Sequence, residues 1–523
     1  MSARVEAEPT SQRRDAVRPY AWARARAWQT NLVLLTIGAA MFLLARQLVS
    51  EYSHYTIGFS GVSGWSAILY VVACWLVLTQ PVDRWTLPII LLVAVACRIV
   101  TLLPAPFLSS DVYRYVWDGL VEHAHISPYR YVPGDPALSF LRAPNQSVFD
   151  HINRRDYAHT IYPPLAQMIF YLVTWVSPTV TAMKAAMVLF EAVTVAALLA
   201  LLRELGLRPA QVLLYAWCPL LLWEVAGSGH LDSAAMAFIA LALVARLRKQ
   251  PVSTGVWLGI AVMIKFYPLV LLPALWWRGD AQGSAWKLPA AVATVVAFGY
   301  ACYAAVGMRV FGFIGGYAQE EGLATGARYF LLDLARRLPG MRQLPIWSFY
   351  GFCLIVFAGL MIWAWRVACQ PGSEPTAFLA PASWLAMALM LLFSPHYAWY
   401  VIWLVPLFAV TPNLPMLVYL MGFFYGYTTA LALPGPKMFL LNEYLYAATA
   451  IAFLIWLGTL ALFGWRTLPL KGSGLPIHTL ALKGRGLPIH ILALKGRGLP
   501  IHILALKGRG FSRAAKEPKN PGL

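Results

Sequence analysis

The sequence predicts an all-α integral membrane protein with about 12–14 transmembrane helices and juxtamembrane helices in its first large outer loop. Three observations predict it. Of 523 residues, 60% are hydrophobic and only 12% charged, where a soluble chain carries roughly 25% charged residues. Apolar runs of helical length recur from residue 32 to residue 463, separated by polar turns. The formal charge of +19 is concentrated at the two ends: residues 1–30 supply +3 and residues 465–523 supply +10. Basic segments flanking membrane spans are what the positive-inside rule places in the cytoplasm, so the charge reports topology and speaks against a nucleic-acid partner.

The chain accordingly divides into a basic cytoplasmic tail (1–30), a polytopic membrane domain (31–464) and a second basic cytoplasmic tail (465–523). The first apolar run starts only after a long Arg-rich lead and is long enough to span, so it reads as a membrane helix and not a cleavable signal. It covers 32–48 and leads outward. A second run, 66–78, returns to Asp83-Arg84 inside, and a third, 87–103, delivers the loop 104–164 to the outer face. The run 165–176 is too short for a ~30 Å hydrocarbon core, which needs ~20 residues, and is read as a juxtamembrane or re-entrant helix. With that choice 183–202 runs inward and places Arg203 and Arg208 inside; 212–226 goes out and 234–245 returns to Arg246, Arg248 and Lys249. A full span at 165–176 would put both basic turns outside. The run 254–264 then rises to Lys265, 269–277 dips to Arg278, and 287–306 leads to a second outer loop, 307–345. Runs at 349–365, 377–393, 401–410, 414–431 and 444–463 complete the domain and leave Ser394–Tyr400 outside.

Six scattered cysteines lie in or beside apolar runs without a CxxC pair, which suits small packing residues better than disulfides or a thiolate metal site. The C-terminal tail repeats a twelve-residue unit at 475–486, 487–498 and 499–510. Near-identity at that short period reads as tandem expansion of a weakly ordered extension, with a polybasic lipid-facing surface as the alternative. His478, His490 and His502 recur with it, but nothing in the sequence gathers them around a metal.

The chemistry-bearing residues fall at span ends on one side. In the first loop, Asp111, Arg114, Asp118 and Glu122 stand at i, i+3, i+7 and i+11, one face of a helix. Asn153-Arg154-Arg155-Asp156-Tyr157 and Ile161-Tyr162-Pro163-Pro164 follow. Gly229-His230-Leu231-Asp232, Lys265-Phe266-Tyr267-Pro268, Arg328 and Ser394-Pro395-His396-Tyr397 lie on the same side. Each has an ordinary structural reading: Lys265 snorkelling, His396 capping a helix, Asp232 as an N-cap. Ionisable groups beside a hydrocarbon belt are costly, and their convergence from separate segments points to a site.

The run Ser110-Asp111-Val112-Tyr113-Arg114-Tyr115-Val116-Trp117-Asp118-Gly119, with Ser127-Pro128-Tyr129-Arg130-Tyr131, Tyr162-Pro163-Pro164 and the three later motifs, resembles bacterial polytopic mannosyltransferases of the GT-C superfamily. The resemblance covers about 32–463. It implies a GT-C type fold, a polyprenyl-phosphate donor of mannose or a similar hexose, and a glycolipid or glycan acceptor at the outer face of the cell membrane. Relatives often carry a further polar residue where this chain has Leu231.

The residues suit that chemistry. An acceptor hydroxyl needs a carboxylate to take its proton as the new bond forms, and Asp111 stands where the superfamily has its catalytic acid. Arg114 would keep that carboxylate ionised. The phosphate leaving group departs as a stable anion and wants cations: Lys265, Arg154, Arg328 and His396. Arg114, Tyr115, Tyr162, His230 and Tyr397 are expected to bind substrate; Trp117, Trp399 and Tyr400 suit either sugar stacking or the interfacial belt. Asp118 and Asp232 are the alternative carboxylates, as a second acid or for a metal. No cofactor is expected, and a divalent metal is left unassigned. The competing classes are a transporter or flippase of a lipid-linked sugar, for which no half-to-half similarity is visible, and a polymerase of surface glycans.

Overall fold

A computed structural model describes residues 11–50, 57–106, 108–277, 285–370, 374–432, 438–463, 478–480 and 491–493. Residues 1–10, Arg278 and most of the tail repeats, His490 and His502 included, lie outside the described residues. The chain forms two compact units, Met1–Gly472 and Ser473–Leu523. In the second, strands His478–Leu480 and Ile491–Ala493 pair antiparallel, Thr479 opposite Leu492. The described residues of the first are helices and turns.

In chain order the main helices are α1 (Ser11–Ser50), α2 (Ile57–Thr79), α3 (Thr86–Leu102), α4 (Asp111–His123), α5 (Pro164–Val176), α6 (Val180–Glu204), α7 (Asp232–Leu247), α8 (Pro251–Val262), α9 (Lys287–Ala301), α10 (Ile346–Cys369), α11 (Leu379–Phe393), α12 (Leu404–Val410), α13 (Leu414–Ala432) and α14 (Met438–Phe463). The protein is a multi-pass, all-α membrane protein. Among the described residues five helices are long and apolar enough to cross a bilayer, in α1, α2, α6, α10 and α14, and two bent pairs raise the figure to seven. The expected 12–14 crossings also counted shorter runs, and five apolar helices of 10–17 residues lie among the described residues. The run 401–410 folds as the seven-residue α12 and is buried throughout. The run 269–277 becomes a 3₁₀ turn and one short helix, Tyr267–Leu271 and Leu272–Leu275. The first run is apolar because protein surrounds it, which composition cannot distinguish from lipid. Helix α1 begins at Ser11, so much of the expected basic tail is helical.

One bent pair, Pro209–Ala216 and Pro219–Gly227, turns through 51°. Pro219 brings no N–H to continue the helix, and carbonyls beside the break need donors from elsewhere. Arg98 Nη1 donates to Ala216 O at 2.7 Å, and the Tyr70 hydroxyl donates to Leu214 O. Arg98 also makes a two-pronged ion pair with Glu191 on α6, both bonds 2.9 Å, with both residues buried. The break is therefore built in: side chains of α2 and α3 satisfy the Leu214 and Ala216 carbonyls beside it.

The helix ends sort into two polar layers. In one, Asn31 Nδ2 donates to Asp83 Oδ1 at 2.8 Å, Arg208 Nη1 to Gln80 O at 2.8 Å, and Gln211 Nε2 to Ala409 O at 2.9 Å, while Arg248 pairs with Glu204. In the other, residues of the loop between α3 and α5 meet the turns after the bent pair, after α8 and after α11, together with the loop between α9 and α10.

Candidate active site

Helix α4 sets the geometry. Its small and apolar residues Val112, Tyr115, Val116 and Gly119 recur at helical spacing and are buried. Gly119 lets α4 lie against α5: a Cβ there would stand 2.3 Å from Thr174 Oγ1 and 2.7 Å from Phe170 O. Tyr115 stacks on Phe170 of α5, ring centroids 4.6 Å apart. Beneath, Arg114 Nε binds Asp118 Oδ1 at 2.7 Å and Arg114 Nη1 donates to Ala158 O at 3.1 Å. Gln167 of α5 donates to Asp118 Oδ2 at 3.2 Å and to Thr160 Oγ1 at 2.8 Å. These bonds fasten the returning loop to α4 and leave Asp111, at the helix start, facing a cleft of about 260 Å³.

The cleft is lined by Asp111, Asn153, Arg154, Tyr162, Lys265 and Tyr397, and by Ser109, Arg114, His159, Tyr317, Trp399 and Tyr400 among others. Asn153 Nδ2 donates to Asp111 Oδ1 at 3.2 Å. Desolvation pushes the Asp111 carboxyl above its ordinary range, against the pull of Lys265, the Asn153 hydrogen bond and Arg154; Asp232 adds to the rise. Lys265 Nζ lies 3.3 Å from Asp232 Oδ2, within 6 Å of the Tyr162 and Tyr400 rings (5.8 and 5.9 Å). The Tyr267 hydroxyl donates to Asp232 Oδ1 at 3.0 Å. On the opposite loop, Glu320 receives Arg154 Nε at 2.6 Å and the Tyr157 hydroxyl at 3.0 Å, while the hydroxyls of Tyr317 and Tyr400 bond to each other. Burial and the positive charges of Arg114 and Arg309 depress His159, which favours its neutral form.

The expected site residues separate into three groups. Asp111, Arg154, Tyr162, Lys265, Tyr397 and Arg114 line the cleft. Asp118, Asp232, Tyr115 and His230 stand outside its lining: Asp118 is buried against Arg114, Asp232 against Lys265 and Tyr267, and His230 stacks behind Trp399 at 4.3 Å, 3.2 Å from Glu224 Oε2. Arg328 and His396 also stand outside the lining and converge on Glu321, which Arg328 pairs with directly and His396 approaches at 3.5 Å. Arg114, expected beside Asp111, spends its charge on Asp118. Trp117 is buried and tilted against Phe149, away from the cleft. Asn153, His159, Thr160 and Tyr317 line the cleft without having been assigned a role. The first three sit in the polar stretch between Asn153 and Tyr162, and Tyr317 in the second loop; being uncharged, they gave no signal of their own. Among the described residues no three His, Cys, Asp or Glu side chains could together hold a metal ion.

A carboxylate, an ammonium, a guanidinium and a bank of tyrosine and tryptophan rings can bind a phosphorylated sugar and accept a proton from a hydroxyl. In a polytopic helical fold that combination fits a membrane glycosyltransferase of the GT-C class. The family model for the N-terminal domain of alpha-(1->6)-mannopyranosyltransferases, MptA_B, matches residues 19–279. The match covers 261 of the 523 residues, and the chain is a glycosyltransferase similar to those mannosyltransferases. The matched region carries Asp111, Arg154, Asp232 and Lys265, and it stops short of the second loop. No curated protein matches the chain.

Proposed function

We propose that the enzyme transfers a mannosyl residue from a polyprenyl-phosphate donor to a glycolipid or glycan acceptor at the outer face of the cell membrane, with inversion. The observation that carries the proposal is the placement of Asp111 in one cleft with Lys265 and Arg154. The acceptor oxygen attacks the anomeric carbon, its proton passes to Asp111, and the bond to phosphate breaks with its electron pair on the phosphate oxygen. Lys265 and Arg154 meet the phosphate; Asp232 and Glu320, their present partners, hold them in place. Arg328 and His396 act at one remove, by fixing Glu321 in the second loop. The family description supports an α-(1→6) product, and inversion to an α-mannoside requires β-linked mannose in the donor. The outer face is supported by the layering, since the basic turns at Arg208 and Arg248 lie in the opposite layer.

Purified protein in lipid, given radiolabelled polyprenyl-phosphate-mannose and an α-mannoside glycolipid, should form a lengthened product. Asp111→Asn should lower kcat by roughly 10²–10⁴-fold, the usual worth of a positioned base. Wild-type turnover in Asp111→Asn, or transfer from a nucleotide sugar and not from the lipid donor, would overturn the reading.

A further inference from the structure

Lys184 lies in the second turn of α6, almost fully buried, and among the described residues forms no ion pair with a carboxylate. Its ammonium instead donates to two backbone carbonyls, Pro104 O at 2.7 Å and Thr101 O at 3.3 Å. These belong to the last turn of α3 and the residues just beyond it. Pro104 and Pro106 carry no N–H with which to close that turn. A cation suits the position because the carbonyl end of a helix carries partial negative charge. Seven residues after Pro104 the chain reaches Asp111. The lysine stem has a second neighbour: a Cβ on Gly229 would fall 2.9 Å from Lys184 Cγ and 3.0 Å from Val112 Cγ2. So Lys184, the turn that carries His230 and Asp232, and the first turn of α4 close around one point. The side chain braces the segment leading to Asp111 and backs the turn leading to Asp232.

We infer that Lys184 is a positioning residue for the Asp111 carboxylate, acting through the end of α3 and the Gly229 turn and touching no substrate. The inference rests on Asp111 being the base. A misplacement of about 1 Å at a reacting group costs on the order of 10²-fold in rate, so its signature is a loss of kcat with donor KM kept.

The test uses the full chain in proteoliposomes with polyprenyl-phosphate-mannose as donor. Lys184→Met, which keeps the stem and removes the donors, should lower kcat about 10- to 100-fold while donor KM stays within about two-fold; Lys184→Arg should recover much of kcat. Wild-type kcat in Lys184→Met, a loss confined to KM, or an arginine variant no better than methionine would each overturn the inference. Should Lys184→Met fail to fold, Lys184→Gln takes its place: kcat below that of Lys184→Arg supports the assignment, and wild-type kcat refutes it. Asp111→Asn is run alongside. If it stays active the base assignment falls; if it is dead while Lys184→Met is unimpaired, only the bracing role falls.

Discussion

Asp111 accepts a side-chain hydrogen bond from Asn153, and the rest of its electrostatic setting is Lys265 and Arg154 against Asp232 and desolvation. The balance favours a carboxyl that titrates above the ordinary Asp value of about 3.9, which makes it a better proton acceptor. Only the ionised form is active, so kcat/KM should rise with pH through the Asp111 pKa to a plateau. The acid limb should lie above the ordinary aspartate range. Asn153→Ala removes a bond that favours the charged form and should move that limb to higher pH. Lys265→Met should move it the same way and also lower kcat/KM by roughly 10- to 100-fold, the equivalent of one lost hydrogen bond to a charged group. A pH–rate profile for the three proteins checks both; a limb that moves to lower pH would contradict the assignment. At this scale the charged residues were legible in sequence, because an Asp or Lys beside a hydrocarbon belt is conspicuous. Their partners were not. Helical spacing put Asp111, Arg114 and Asp118 on one face, yet it could not say that Arg114 and Asp118 would pair with each other and turn to Gln167, leaving Asp111 to the cleft.

Between residue and molecule, the turn bearing Lys265 depends on how α8 is held. Gly255 and Gly259, four apart on one face of α8, let α9 approach closely: a Cβ on Gly255 would stand 2.4 Å from Leu288 O, and one on Gly259 2.9 Å from Val295 Cβ. The nearest obstacle at Gly255 is backbone and cannot rotate away. Gly255→Leu should therefore separate the two helices, cost more than the ~1–3 kcal/mol typical of overpacking, and lower activity by displacing Lys265 three residues past the helix end. Gly351→Ala on α10, where the added Cβ meets nothing, is the control and should leave thermal stability unchanged. Equal melting temperatures for the two variants would refute the packing argument. Among the elements, α1, α2, α6, α10 and α14 stood out as spans by length and apolarity. The short runs did not sort themselves, since a helix buried in protein and one bathed in lipid are written in the same residues. The length of α5 was readable: the short apolar run 165–176 forms a thirteen-residue helix, Pro164–Val176.

For the whole molecule, the two polar layers make a topological claim. Impermeant maleimide applied to intact cells should label Ser139→Cys, in the exposed part of the first loop, in a background where exposed Cys302 is replaced; Arg84→Cys, also exposed, should react only after permeabilisation. The reverse pattern would place the cleft in the cytoplasm and remove the polyprenyl-phosphate reading with it. The meeting of the second loop with the first, through Arg154, Tyr157 and Glu320, needed coordinates: 163 and 166 residues separate those partners.

The pairing of Arg98 with Glu191 carries a consequence for how the protein is made. A lone arginine near mid-membrane costs about 2.5–3.5 kcal/mol to insert, and its acid arrives 93 residues later. During synthesis α3 thus emerges with an unanswered charge, and α6 brings the answer. Biogenesis of this enzyme should therefore have an order: the third helix should stay near the insertion machinery until its counter-ion has been translated, and a chain truncated before Glu191 should be handed to proteolysis instead of settling into the bilayer.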